Sequence, residues 1–128
     1  MSTPDDTELL LAEADQKARI RALNDAFRTQ PWVVGSAIAG NSLVVTHGVA
    51  QRGGDFLDRA ISALRSFSNF NEGNDPYGEH DFGNFEIDGH ELCFKIDYYD
   101  RALEWGSPDP ADPHLTRRVL TILLAEEY

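Results

Sequence analysis

Cysteine occurs once in this chain, at Cys93. A single cysteine cannot close an internal disulfide, and without a Cys cluster there is no zinc site of the common structural kind. That usage points to a reducing cytosol. Long apolar runs are missing too: none approaches the ~20 residues of a membrane-spanning helix. The first residues, Met1-Ser2-Thr3-Pro4-Asp5-Asp6, are acidic where a secretory signal is basic. The expectation is a soluble, cytoplasmic protein without a membrane anchor. Gly48 and Gly53-Gly54 lack the Gly-Lys-Ser/Thr ending of a phosphate loop. No internal repeat and no low-complexity linker interrupts the chain.

Basic residues are scarce in one particular place. Between Asn71 and Asp112 only Lys95 and Arg101 stand against twelve acids, so that stretch carries −10 of the chain's formal −11. A field of that sign repels phosphate backbones, which weighs against direct nucleic-acid binding. A basic protein surface, a cation or plain solubility would each account for it.

What is present fits one α+β domain over residues 1–128, with residues 1–10 expected to fray. At 128 residues the chain can bury roughly two-thirds of its surface and needs no metal, cofactor or disulfide to fold. Thr3 with Pro4 and two following acids resembles a helix start. Leu9, Ala12, Gln16, Ile20, Leu23 and Phe27 then recur at helical spacing up to Pro31. Trp32 to Ala39 and Ser42 to Val49 read as two strands around a Gly40-Asn41 turn. Asp55 is placed to cap a second helix whose apolar face is Leu57, Ala60, Ile61, Leu64 and Phe67. In the closing segment Asp112-Pro113 reads as a helix start, with Leu115, Val119, Leu120, Ile122 and Leu123 behind it. The expected order is α-β-β-α-β-β-α, a small antiparallel sheet covered by helices.

The sharpest local signal is Asp88-Gly89, which sits between alternating segments and reads as a type I′ hairpin turn. A two-residue loop pairs Phe85 with Leu92 and Ile87 with His90, so that face, with Phe94 and Ile96, belongs on the core. The opposite face pairs Glu86 with Glu91, Asn84 with Cys93, Phe82 with Lys95 and His80 with Asp97, and Tyr99 extends it.

That register suggests chemistry. A His80–Asp97 pair could orient an imidazole for general-base work, with Lys95 and Tyr99 stabilising an anion. The plainer alternative is a polar face with a cross-strand ion pair. Glu86 opposite Glu91 is a like-charge pair, too thin alone for a hard-metal site, so no metal is assigned. His90 is expected in the core, Cys93 as packing, His114 in solvent. Carboxylates of the loop Asn74–Gly83 could meet Asp97 and Asp100, as a metal-dependent phosphodiesterase would require, but the acidic field would repel its substrate.

Several stretches resemble one bacterial family, domain of unknown function 3768. They are Arg21-Ala-Leu-Asn-Asp-Ala-Phe27, Asn74-Asp-Pro-Tyr-Gly-Glu-His-Asp-Phe-Gly83, Lys95-Ile-Asp-Tyr-Tyr-Asp100, Gly106-Ser-Pro-Asp-Pro-Ala-Asp112 and Arg118-Val-Leu-Thr-Ile-Leu-Leu-Ala-Glu-Glu-Tyr128. Trp32 to Asn41 is less like the pattern. The resemblance brings no activity, cofactor or catalytic residue with it. It implies a short protein of the kind carried on plasmids and other mobile elements.

Two functions are therefore expected to compete. The first is a non-enzymatic, acidic interaction protein, a mobile-element inhibitor or regulator of the anti-CRISPR or anti-restriction type acting by DNA mimicry. It would engage a basic nuclease or CRISPR subunit through Asp75, Glu79, Asp81, Asp100, Glu104 and Asp109. The second is a small hydrolase-like enzyme using His80 and Asp97, with or without a divalent cation. A homodimer joined by apolar helix faces is a third option.

Overall fold

The Asp88-Gly89 turn forms as the sequence predicts. In the structure, a computed structural model that describes residues 5–32, 37–38 and 40–128, Asp88 and Gly89 take φ values of 53° and 79°. Both lie in the left-handed region that a type I′ turn needs. The turn joins β3 (Phe82–Ile87) to β4 (His90–Tyr99). Phe85 opposes Leu92, Glu86 opposes Glu91 and Phe82 opposes Lys95, the expected register throughout the ladder.

The closing segment departs from expectation. Residues Arg117–Leu124 form a strand, β5, not a helix. Leu120, Ile122 and Leu124 alternate toward the helices, while Val119 and Thr121 turn the other way. A short, β-branched apolar run fits a buried strand as well as a helix, and here the neighbouring strands decide. β5 pairs antiparallel with β4 and parallel with β2 (Asn41–Val45). The sheet is therefore mixed, not purely antiparallel. It has five strands in the order β1-β2-β5-β4-β3, β1 being the two residues Ala37–Ile38.

The first hairpin also shifts. Ile38 pairs with Asn41, so Asn41 belongs to β2 and not to the predicted Gly40-Asn41 turn, and β2 stops at Val45. Residues 33–36 and 39 of the proposed first strand, and the Thr3-Pro4 helix start, lie outside the described residues.

Three helices lie on one face of the sheet: α1 (Asp6–Arg28), α2 (His47–Ala50) and α3 (Gly54–Ser66). Helix α1 starts at Asp6, capped by Asp5, whose Oδ1 accepts from the Glu8 N–H at 2.8 Å. It is exposed over its first half, Leu9 to Leu11 included, and buries side chains only from Ile20 onward. Helix α3 begins one residue before Asp55, so Gly53 occupies the cap position and Asp55 the first turn. The element order is α-β-β-α-α-β-β-β, with a closing 3-10 turn at Ala125–Glu127. Among the described residues no helix is long and apolar enough to cross a membrane.

The core lies between sheet and helices. Leu43, Leu92, Phe94, Leu120 and Ile122 from the strands meet Ala60 and Leu64 of α3, Val49 of α2 and Phe27 of α1. Each such side chain is worth about 1.5–3 kcal/mol relative to exposure. Gly83 on β3 sits where the rings of Phe67 and Phe94 close over the strand. A Cβ there would fall 2.6 Å from ring carbons of both. Gly83→Ala should therefore cost about 1–3 kcal/mol by overpacking, read as a lowered urea midpoint at unchanged slope. A midpoint equal to the parent's would show that the rings move aside freely.

Candidate functional site

The loop between α3 and β3 brings the predicted polar residues to one end of the sheet and sorts them onto two faces. The strand ladder ends at Phe82, and His80 takes φ 57°. That turn removes His80 from register, so it does not face Asp97. Its imidazole stacks flat on Phe70, with centroids 3.8 Å apart and planes 4° from parallel. Nδ1 lies 2.9 Å from an Asp25 carboxylate oxygen on α1, and Nε2 lies 3.6 Å from Asp75. Asp97 stays on the outer face, where it holds the Lys95 ammonium at 3.0 Å. The predicted His80–Asp97 pair is thus replaced by a His80–Asp25 contact on the inner side and a Lys95–Asp97 ion pair on the outer face. Tyr99 opposes Arg117 on the outer face, near no imidazole in the ladder.

Between α1 and the sheet lies a buried polar layer that the sequence reading missed. Arg118 of β5 is 2% exposed and Asn24 of α1 is fully buried. The Arg118 Nε donates to Asn24 Oδ1 at 2.7 Å, its NH2 group donates to the Pro110 carbonyl, and its guanidinium lies 5.2 Å from the Tyr98 ring centroid. The Asn24 amide donates to the Glu79 carbonyl and the Tyr98 hydroxyl at 2.9 and 2.8 Å. Tyr98 in turn donates to the Glu79 carboxylate at 2.8 Å. Burial pulls the Arg118 guanidinium below its usual pKa, against the raising pull of Tyr98 and Glu79. Burial pushes the Tyr98 phenol well above its ordinary range, with the Asn24 hydrogen bond opposing and Glu79 reinforcing the shift. Arg28 is buried beside this layer and caps α3, donating to the Leu64 and Phe67 carbonyls at 2.9 and 2.8 Å. Along the Arg118–Asn24–Tyr98–Glu79 chain donors and acceptors face one another, and they clamp α1 to the sheet.

The acids predicted to bind a partner fall into two groups. Asp75 accepts from the Glu79 and His80 N–H groups at 3.0 and 3.1 Å, with its side chain only 6% exposed, and Glu79 takes the Tyr98 hydroxyl. Asp81 is half-buried. Burial raises its pKa first, and Glu79, Asp75 and Asp97 raise it further. At the far end of β4, Asp100 Oδ1 accepts from the Glu104 and Trp105 N–H groups at 3.1 and 3.4 Å. Asp109 Oδ1 accepts from the Ala111 N–H and the Gln16 amide. Glu104 is exposed and makes no side-chain hydrogen bond among the described residues.

That far end also carries an exposed indole. The loop after β4 is closed by the Asp100 N–H donating to the Trp105 carbonyl at 2.9 Å and the Ser107 N–H donating to the Tyr98 carbonyl at 3.0 Å. Leu103 sits within it at φ 59°, a strained setting for a leucine. The result is a fixed loop with Trp105 74% exposed, Leu103 46% and nearby Leu115 43%.

Among the described residues no group of three or more His, Cys, Asp or Glu side chains could hold a metal ion. Glu86 and Glu91 oppose each other as expected, both exposed. His90 is exposed, not in the core: at the strand start its ring packs edge-on to Phe56 and its Nε2 lies 3.1 Å from Arg52. Cys93 is buried on the outer face, where burial raises its thiol pKa. His114 is exposed, in a loop and not in a helical turn.

The sequence profile of a family described as "Protein of unknown function (DUF3768)" matches residues 45–127, well over half of the chain. The chain belongs to that family. No curated protein and no solved structure matches it. Within the DUF3768 match lie Glu79, His80, Tyr98, Trp105 and Arg118. Helix α1, with Asn24, Asp25 and Arg28, lies before it, so the polar layer joins the DUF3768 region to a helix outside the match. Arg118 and Tyr98 stand in stretches that resemble the family, but nothing in those stretches marks a buried polar layer. Trp105, flanked by Glu104 and Gly106 in a turn-rich stretch, could have been found by asking why a loop keeps a tryptophan.

Proposed function

We propose that this protein is a non-enzymatic interaction module that docks on a basic protein surface through the loops at the far end of β4. The observation that carries the proposal is Trp105, 74% exposed on a loop locked by backbone hydrogen bonds and by Asp100. Exposed indoles held rigid lose little entropy on binding, and tryptophan is prominent among interface hot spots. Acids surround it. Asp100 and Asp109 each commit Oδ1 to a turn, and no hydrogen bond among the described residues uses Oδ2. Glu104 is free. Fixed carboxylates around an apolar anchor suit Arg and Lys on a partner.

In its finer form the proposal makes the partner a nucleic-acid-handling complex, such as a nuclease or CRISPR subunit, whose basic groove the acids occupy. The mobile-element carriage that the family resemblance implies motivates that form. It is an analogy at family level, not a consequence of the fold.

The test uses the full chain as bait, followed by affinity measurement with the partner it captures. Trp105→Ala should weaken binding about 30-fold, ~2 kcal/mol. Adding Glu104→Lys and Asp109→Lys should weaken it further and reduce the salt dependence. Unchanged affinity of the triple variant at low salt would sink the proposal.

A further inference from the structure

The outer sheet face carries no packed helix among the described residues, and it holds a groove of about 560 Å³. The groove runs between the loop bearing Tyr77 and the segment bearing Tyr128. Its walls are aromatic: Tyr77 is 68% exposed, Tyr128 is 76% exposed, and Phe82 meets Tyr128 edge-on at 5.6 Å. Its charged lining is mostly negative. Asp81, Asp97 and Glu127 stand there with one base, Lys95; the Lys95 ammonium already holds Asp97 at 3.0 Å, and Glu127 accepts from Thr46 and the Leu124 N–H. No side chain among the described residues donates to the Asp81 carboxylate. Burial first, and then the negative charges of Glu79, Asp75 and Asp97, hold the Asp81 carboxyl above its ordinary pKa.

A cation is the group this combination accepts. Ring faces attract it through their quadrupoles, and a carboxylate in a negative field gains more from it than one in bulk water. A planar guanidinium can stack on a tyrosine and fork onto a carboxylate at once, which a compact ammonium cannot. Three residues of strand, about 10 Å, separate Asp97 of the groove from Asp100 of the Trp105 loop. One partner can therefore reach both.

We infer that this groove is a subsite for a single arginine side chain of the basic protein partner. The inference rests on the interaction reading above and adds the residue type and the place where it docks. Other occupants of the same groove, a lysine or a neutral side chain, are outcomes of the test.

The probe is N-acetyl-arginine amide, titrated into the full chain and followed by amide and aromatic NMR shifts, with the lysine and citrulline amides as comparisons. Saturable shifts at Tyr77, Asp81, Phe82 and Tyr128 are expected for arginine, smaller ones for lysine and none for citrulline, the neutral isostere. Asp81→Asn should weaken arginine binding about tenfold, and Tyr128→Ala should weaken it too. Asp81→Asn removes a charge from a negative field, so it should fold at least as well as the parent. The inference is overturned if citrulline shifts the same signals equally, or if Asp81→Asn leaves arginine binding unchanged. Trp105→Ala separates the two readings. If it abolishes partner capture while arginine fails to bind the groove, only the subsite falls. If arginine binds the groove but Trp105→Ala captures the partner normally, the docking loop falls and the subsite stands.

Discussion

Asn24→Leu should be among the most destabilising single changes in this protein, costing about 3–5 kcal/mol. Asn24 is fully buried and serves three partners at once: it accepts from Arg118 and donates to the Glu79 carbonyl and the Tyr98 hydroxyl. Leucine matches its size but offers no acceptor. The Arg118 guanidinium would then stay buried with its Nε unpaired, held only by the Pro110 carbonyl and the face of Tyr98. Removing one member of a buried charged network costs more than the contact is worth, because the remaining charge is left without compensation. The measurement is equilibrium urea unfolding, parent against variant. The double change Asn24→Leu with Arg118→Met should recover much of the loss, since it removes both sides of the interaction. A single-variant loss below about 1 kcal/mol would mean that water reaches Arg118, and that the layer is not a sealed clamp.

Phe94→Ala should cost a similar amount, about 3–5 kcal/mol. Phe94 is fully buried on β4 and meets Phe67 edge-on at 5.4 Å and Phe70 at 6.4 Å. Its ring also lies under Arg28, 5.9 Å from the guanidinium carbon, and Phe70 carries both that cation and the stacked His80. Truncation would open a cavity where the strand, the segment after α3 and α1 converge. The loop that positions His80 should loosen with it. Faster amide exchange at Glu79 and His80 than at Leu120 would report that local effect. Equal protection at all three would place the loss in global stability alone.

The β3–β4 hairpin was legible in the sequence because its cause is local. Asp88-Gly89 fixes a two-residue turn, and the side-chain period of two then fixes each pair from Ile87–His90 to Phe82–Lys95. The inference failed where the ladder stopped. His80 lies two residues beyond the last pair, and its positive φ turns it toward α1, so its real partners are Asp25, Asp75 and Phe70. His90 failed differently. Its register was right, but at the strand start only Phe56 and Arg52 lie against it, and an expected core position is exposed.

The closing strand shows the other limit. Val119 to Leu124 is an apolar run whose length and composition suit a buried strand or a buried helix. The choice was made by the vacancy between β2 and β4, which only a strand can fill with hydrogen bonds on both sides. With β5 central, Arg118 is carried into the core beside Tyr98, where no local pattern would place a guanidinium.

By itself the sequence determined the family, the mixed α+β class, the hairpin register and the concentration of acids between Asn71 and Asp112. Turn chemistry, alternation and charge counts act over a few residues and need no knowledge of distant chain. The tertiary structure alone decided that β5 completes the sheet, and that His80 and Asp97 part company. It also decided which acids cap turns and which stay exposed beside Trp105. Those outcomes depend on which segments, far apart in the chain, compete for the same hydrogen bonds and the same buried space.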